Sequence, residues 1–199
     1  MFDSSRAKAL VMSGTHRCAI APYSHCTGSI GKAVRTNCQG RDEYQESDVA
    51  HSTKNTFWIV HVFLSKHIEL VVSLHSTKQD AFIISDGTSS SVKPSSAVAQ
   101  ISISLAKSFG NILTCNDFEG SPTQRTLRDA EKDVCGATNV QGRHLNGAED
   151  PCMIKVHEDG SPLTSSGRFV HIEQPVNLVK EVTDLVKGME RALGEYFRD

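Results

Sequence analysis

Residues 69–90 read ELVVSLHSTKQDAFIISDGTSS, and this stretch decides the fold class. Its first half is a β-rich apolar run, Glu69 to Leu74, with His75-Ser76 at its tip. Its second half, Ala81 to Ser85, is another such run and ends in Asp86-Gly87-Thr88. Short apolar runs bounded by polar turn formers read as strands in a sheet that is covered by helices. A strand that closes on an imidazole puts a common metal-ligand type at a sheet edge, where open α/β sheets bind their ligands.

Helical patterns flank the two strands. Ser47-Asp48 offers a helix cap, after which Val49, Phe57, Val60 and Leu64 share one face up to about residue 65. From Ser95 to Phe109, Val98, Ile101, Leu105 and Phe109 recur at helical spacing, and Gly110 is a natural stop. Further strands are expected at residues 7–13 (AKALVMS), 111–115, 152–156 and 167–173. An amphipathic helix through Val179, Val182, Val186, Met189 and Leu193 is expected after Pro175. Strands alternating with helices predict an α/β fold: three layers around a mostly parallel or mixed central sheet. One domain is expected over residues 1–199, with a cysteine-containing loop at 14–45 and a long active-site loop at 116–150.

Composition narrows the function classes. Charged residues make up 22% of the chain and the net charge is -2, so no basic surface points to nucleic acid or an anionic membrane. No apolar run approaches the ~20 residues of a membrane span. The opening MFDSSRAKALVMSG is not a signal peptide by pattern. Cys18, Cys26, Cys38, Cys115, Cys135 and Cys152 include no C-x-x-C pair, and three of them fall in a loop poor in apolar residues. An even count concentrated in loops predicts disulfides, at least one of them within residues 18–38 or joining that loop to the rest, and a secreted or extracytoplasmic location. The alternative is six reduced thiols in the cytoplasm.

In the strand FVHIE, alternation places Phe169, His171 and Glu173 on one face and Val170 and Ile172 on the other. A carboxylate ending an apolar strand is costly unless it is solvated, paired or catalytic. A histidine ligand such as His75 and a carboxylate base such as Glu173 form the minimal kit for metal-assisted hydrolysis. They are expected at the same edge of one sheet, about 4 to 8 Å apart. Arg143 adds a guanidinium able to fork onto a substrate carboxylate. No G-x-S-x-G elbow and no P-loop is present.

The succession LHS, SDG, Asn116-Asp117-Phe118-Glu119-Gly120, QGRHLNG and HIE resembles the N-formylglutamate amidohydrolase family over roughly residues 46 to 175. That family comprises zinc-dependent hydrolases of the carboxypeptidase-like α/β superfamily. The resemblance implies that His75 binds zinc, that Glu173 is the general base, and that Arg143-His144 lies in a loop binding a substrate carboxylate. Ser73 stands where the family has an aspartate, which alters the support of the zinc-binding histidine.

Family members bring a further histidine and an acidic residue from well upstream of the LHS strand. Only 74 residues precede His75 here, and the segment carrying that pair is read as missing. His16, in SGTHR, is one candidate for the position, and Asp48 or His51 are others, with His16 and Asp48 ranked first. Alternatively GTHR is a substrate-binding turn in which Arg17 matters. The expected function is zinc-dependent cleavage of an amide next to a carboxylate, on a small-molecule or peptide substrate. The alternative is a catalytically degenerate member of the fold that serves as a binding or structural domain.

Overall fold

The computed structural model describes residues 7–20, 22–26, 38, 44–88, 90–110, 112–121, 135–153 and 161–177, together with positions 187, 190, 191 and 194. The elements in chain order are α1 (Thr56–Leu64), β1 (Val71–Thr77), β2 (Phe82–Ser85), α2 (Ala97–Phe109), β3 (Ile112–Thr114), α3 (Val140–Leu145) and β4 (Phe169–Pro175). The chain divides into two compact units. The first comprises Met1–Leu10, Leu70–Gly136 and Gly167–Asp199; the second comprises Val11–Glu69 and Ala137–Ser166.

The first unit is an α/β fold built on a four-stranded mixed sheet, in the order β1-β4-β2-β3. β4 runs parallel to β1 and antiparallel to β2, and β2 runs parallel to β3. The sheet is thus mostly parallel, as the pattern of elements predicts. The antiparallel step has a simple origin. Only four residues, Lys78 to Ala81, link β1 to β2, too few for the crossover that two parallel strands require. β2 therefore runs back, and β4 enters between the two.

Side-chain alternation gives the sheet two unlike faces. On one, Phe82, Ile84, Ile112, Val170 and Ile172 pack against Val98, Ile101 and Leu105 of α2 as a buried core. Ser96 caps α2, its side chain accepting from Ala99 N, and Gly110 ends the helix at φ 75°, a conformation that costs glycine little. Each core aliphatic side chain buried this way contributes about 1.5–3 kcal/mol. The other face carries Ser73, His75, His171, Glu173 and Ser85, beside a smaller apolar group of Ala81, Ile83, Leu113 and Cys135.

The second unit holds α1, α3 and the cysteine-bearing loop. All six cysteines pair: Cys18–Cys38 and Cys26–Cys152 in the second unit, and Cys115–Cys135 in the first. The expected cross-links are present, one inside the 18–38 loop and one joining it to Cys152. Their sequence separations of 20, 126 and 20 residues correspond to about 3, 5 and 3 kcal/mol of loop-closure entropy. Such a cystine content belongs to an oxidising environment. Among the described residues, no helix is long and apolar enough to cross a membrane.

Four expectations need correction. Residues 7–13 form no strand: Leu10 and Met12 are exposed, and a strand needs a ladder partner that its apolar composition cannot supply. The first helix starts at Thr56 rather than at Ser47-Asp48. Ser47 Oγ donates to Arg17 O and accepts from Ile20 N, and Asp48 binds His51, so neither side chain is available to cap. Asn55 caps instead, accepting from Trp58 N at 2.9 Å. The loop at 116–150 contains α3, capped by Asn139 through the N–H groups of Gln141 and Gly142. Cys152 and Met153 lie in a turn, not in a strand. The remainder of the 152–156 strand and the face Val179, Val182, Val186, Met189 and Leu193 lie outside the described residues.

Candidate metal centre

The parallel register between β1 and β4 sets His75 directly opposite Glu173. This is the same-edge placement expected from the sequence. Both strands point their carboxyl ends to that edge, whereas β2 reaches it with its amino end, since Ile83 is the partner of Glu173 and Ser85 that of His171. Asp86-Gly87-Thr88 therefore lies at the opposite edge from His75.

Alternation along β4 puts His171 on the same face, two residues before Glu173. The ligand-type atoms of His75, His171 and Glu173 all lie within 4.8 Å of one another. The two imidazoles are 4.7 Å apart between ring centroids, and His171 Nε2 stands 3.6 Å from Glu173 Oε1. Ser73 Oγ is 3.0 Å from His75 Nε2. His171 is buried, while His75 and Glu173 are half-buried, so the group is sheltered on one side and open on the other. Two imidazoles and one carboxylate are a donor set suited to zinc and neighbouring divalent metals, and a spacing of 3.6 Å fits two ligands sharing one ion.

A short segment covers His171. Ser85 Oγ donates to the Cys135 carbonyl, and Gly136 follows at φ 69°. A Cβ on Gly136 would meet His171 Cγ at 2.7 Å and Nδ1 at 3.0 Å, closer than real Cβ contacts come.

The other residues singled out in the sequence belong to the second unit. His16 is exposed, its Nδ1 accepting from Cys18 N at 3.2 Å. Asp48 is buried; its Oδ1 is 3.1 Å from His51 Nδ1 and its Oδ2 is 4.0 Å from Arg17 Nε. Burial alone would raise the Asp48 carboxyl, but the His51 hydrogen bond and the charges of His51 and Arg17 hold it below the usual range. His51 stacks on Tyr44 with centroids 3.7 Å apart, and its Nε2 is 2.9 Å from Thr138 Oγ1. Arg143 is 2% exposed. It donates from Nε to Ala137 O at 3.0 Å, and from Nη1 to Pro151 O at 3.2 Å and Cys152 O at 3.4 Å. Burial lowers its pKa to about 10. These bonds tie the 137–152 segment together around the guanidinium. His144 packs edge-on against Trp58 and His61, with Nε2 3.4 Å from Ser65 Oγ.

His61 is buried in α1, and its Nε2 has no hydrogen-bond partner among the described residues. Burial, with a smaller contribution from His144, lowers its pKa to about 4 from the ordinary 6.5. A depressed folded value means that the unfolded chain binds the proton more readily. Stability is therefore whole above about pH 6.5 and falls as the pH drops towards 4, by up to about 3 kcal/mol. Urea unfolding at pH 7.5 and pH 4 is expected to show this loss in the unmodified chain and a smaller one in His61→Leu. Equal losses would exclude His61 as the cause.

The sequence does not single out His171 for this cluster, although the H-x-E spacing on an alternating strand was the available signal. Nor does it single out Gly136, for which a lone glycine in a polar loop gave none. No family model matches the chain, nor does any curated protein or solved structure.

Proposed function

We propose that the first unit is a metal-dependent hydrolase centre in which His75 and His171 hold a divalent cation, zinc being the best fit to the donor set, and Glu173 serves as proton acceptor. The observation that carries this reading is the convergence of three donor side chains from two adjacent strands within 4.8 Å. A cation bound there lowers the pKa of water and polarises a carbonyl. The remaining work falls to the chain itself. Glu173, half-buried beside His171, takes up the proton of the attacking water and returns it to the leaving amine. Ser73, 3.0 Å from His75 Nε2, orients that ring in place of the carboxylate which often does so.

The substrate class rests on the sequence motifs. Their resemblance to the N-formylglutamate amidohydrolases and the carboxypeptidase-like superfamily supports an amide next to a carboxylate, with zinc as the resident ion. The three cystines support secretion or another extracytoplasmic location.

The first test is stoichiometry. After dialysis against zinc and then against metal-free buffer, elemental analysis is expected to find about one ion per chain, with N-acyl amino acids hydrolysed only in the loaded form. A chain that retains none at any pH between 6 and 8 would favour the binding-domain alternative and end the hydrolase reading.

A further inference from the structure

The Cys115–Cys135 cystine is placed to act on the metal centre. Cys115 follows β3 directly, and its N–H donates to Ile84 O of β2 at 3.0 Å, which fixes it to the sheet. The disulfide carries this fixation to Cys135, and Ser85 Oγ anchors the Cys135 carbonyl from below. Ser85 is the register partner of His171. The next residue, Gly136, then lies on the His171 ring so closely that a single added carbon would overlap it. Gly87 lies beside this segment, where a Cβ would stand at ordinary contact distance, 3.4 Å, from Gly136 O. His171 is thus clamped between its strand and a covalently tethered backbone segment.

We propose that the Cys115–Cys135 cystine, acting through Gly136, positions His171 at the metal centre, so that the complete donor set forms only in the oxidised chain. This rests on the reading of His75 and His171 as the metal donors, with Glu173 beside them as proton acceptor. Cys115, Cys135, Ser85 and Gly136 are positioning residues; none belongs to the donor set. With the disulfide open, the 135–136 segment loses its covalent tether to Cys115, and the His171 ring gains rotational freedom that metal binding must then remove. Opening needs a thiol reductant: a dithiol passes two electrons and two protons to the cystine and closes its own disulfide.

The experiment uses the full chain and Co²⁺ alone as probe, with affinity read by chelator competition and geometry by the visible d–d spectrum. Cys115→Ser/Cys135→Ser is expected to bind about ten- to a hundredfold more weakly than the unmodified chain and with an altered spectrum. Cys18→Ser/Cys38→Ser, which opens a cystine of the second unit, is expected to change stability but neither affinity nor spectrum. Gly136→Ala keeps the cystine and is expected to weaken Co²⁺ binding by a similar factor, which guards against a serine variant that fails to fold. Unchanged affinity in both the first variant and Gly136→Ala would overturn the inference while leaving the metal centre standing. Absence of Co²⁺ binding by the unmodified oxidised chain would overturn both.

Discussion

His75→Ala is expected to lose the metal, with affinity falling on the order of a hundredfold or more, because a site that forfeits one of its two imidazole donors holds its ion far more weakly. Glu173→Gln is expected to behave differently. The amide keeps the shape and an oxygen donor but cannot take a proton, so at saturating metal the chain should stay loaded while kcat falls on the order of a hundredfold or more. The two residues face each other across one register step, which makes the contrast informative. Both substitutions sit on the same sheet face at half-buried positions, so neither should unfold the core that α2 covers. Metal content by elemental analysis and kcat by amide hydrolysis, measured on the same preparations, separate the roles. A Glu173→Gln chain that hydrolyses at the unmodified rate would remove Glu173 from the chemistry.

Arg143→Ala is expected to destabilise the chain by about 3 to 5 kcal/mol. Arg143 is among the largest fully buried side chains, and its removal leaves the carbonyls of Ala137, Pro151 and Cys152 without a charged donor and opens a cavity. For a chain of this length the melting temperature should drop by roughly 10 °C. Arg143→Lys should recover little, because an ammonium lacks the planar fork that reaches several carbonyls at once. Thermal unfolding of the three proteins measures this directly. The opposite pattern, an unchanged melting temperature with a raised KM for carboxylate-bearing substrates, would return Arg143 to the role of substrate anchor.

Most of the sheet was legible because its strands are short, apolar and bounded by turn formers. Ala81 to Ser85 and residues 167–173 lie within one or two positions of β2 and β4. α2 was equally plain, its three buried anchors recurring at helical spacing up to Gly110. β1 runs three residues further than expected, to Thr77, so His75 sits inside the strand and gains a defined register partner. What misled was local chemistry that serves a distant purpose. Ser47 and Asp48 look like caps but are engaged by Arg17, Ile20 and His51. The AKALVMS run has strand composition without a ladder. α3 escaped notice because six residues with Gly142 inside carry almost no periodic signal. The convergence of His171 with His75 is a tertiary fact: it follows from β4 inserting between two strands that are neighbours in sequence, which no local pattern encodes.

The Cys26–Cys152 cystine has a consequence for biosynthesis. Its two halves are separated by 126 residues, and the whole stretch Leu70–Gly136 of the first unit is made between them. At about 5–20 residues per second, Cys26 waits roughly 6 to 25 seconds for its partner to emerge. Through that interval Cys18 and Cys38 are the nearest thiols in sequence, and Cys115 and Cys135 also arrive first. Local pairing is therefore kinetically favoured over the native long-range bond, and correct maturation requires either early closure of Cys18–Cys38 and Cys115–Cys135 or later reshuffling by thiol–disulfide exchange. On the reshuffling route, the rate at which the native chain accumulates would be set by the isomerase capacity of the compartment rather than by the folding of either unit.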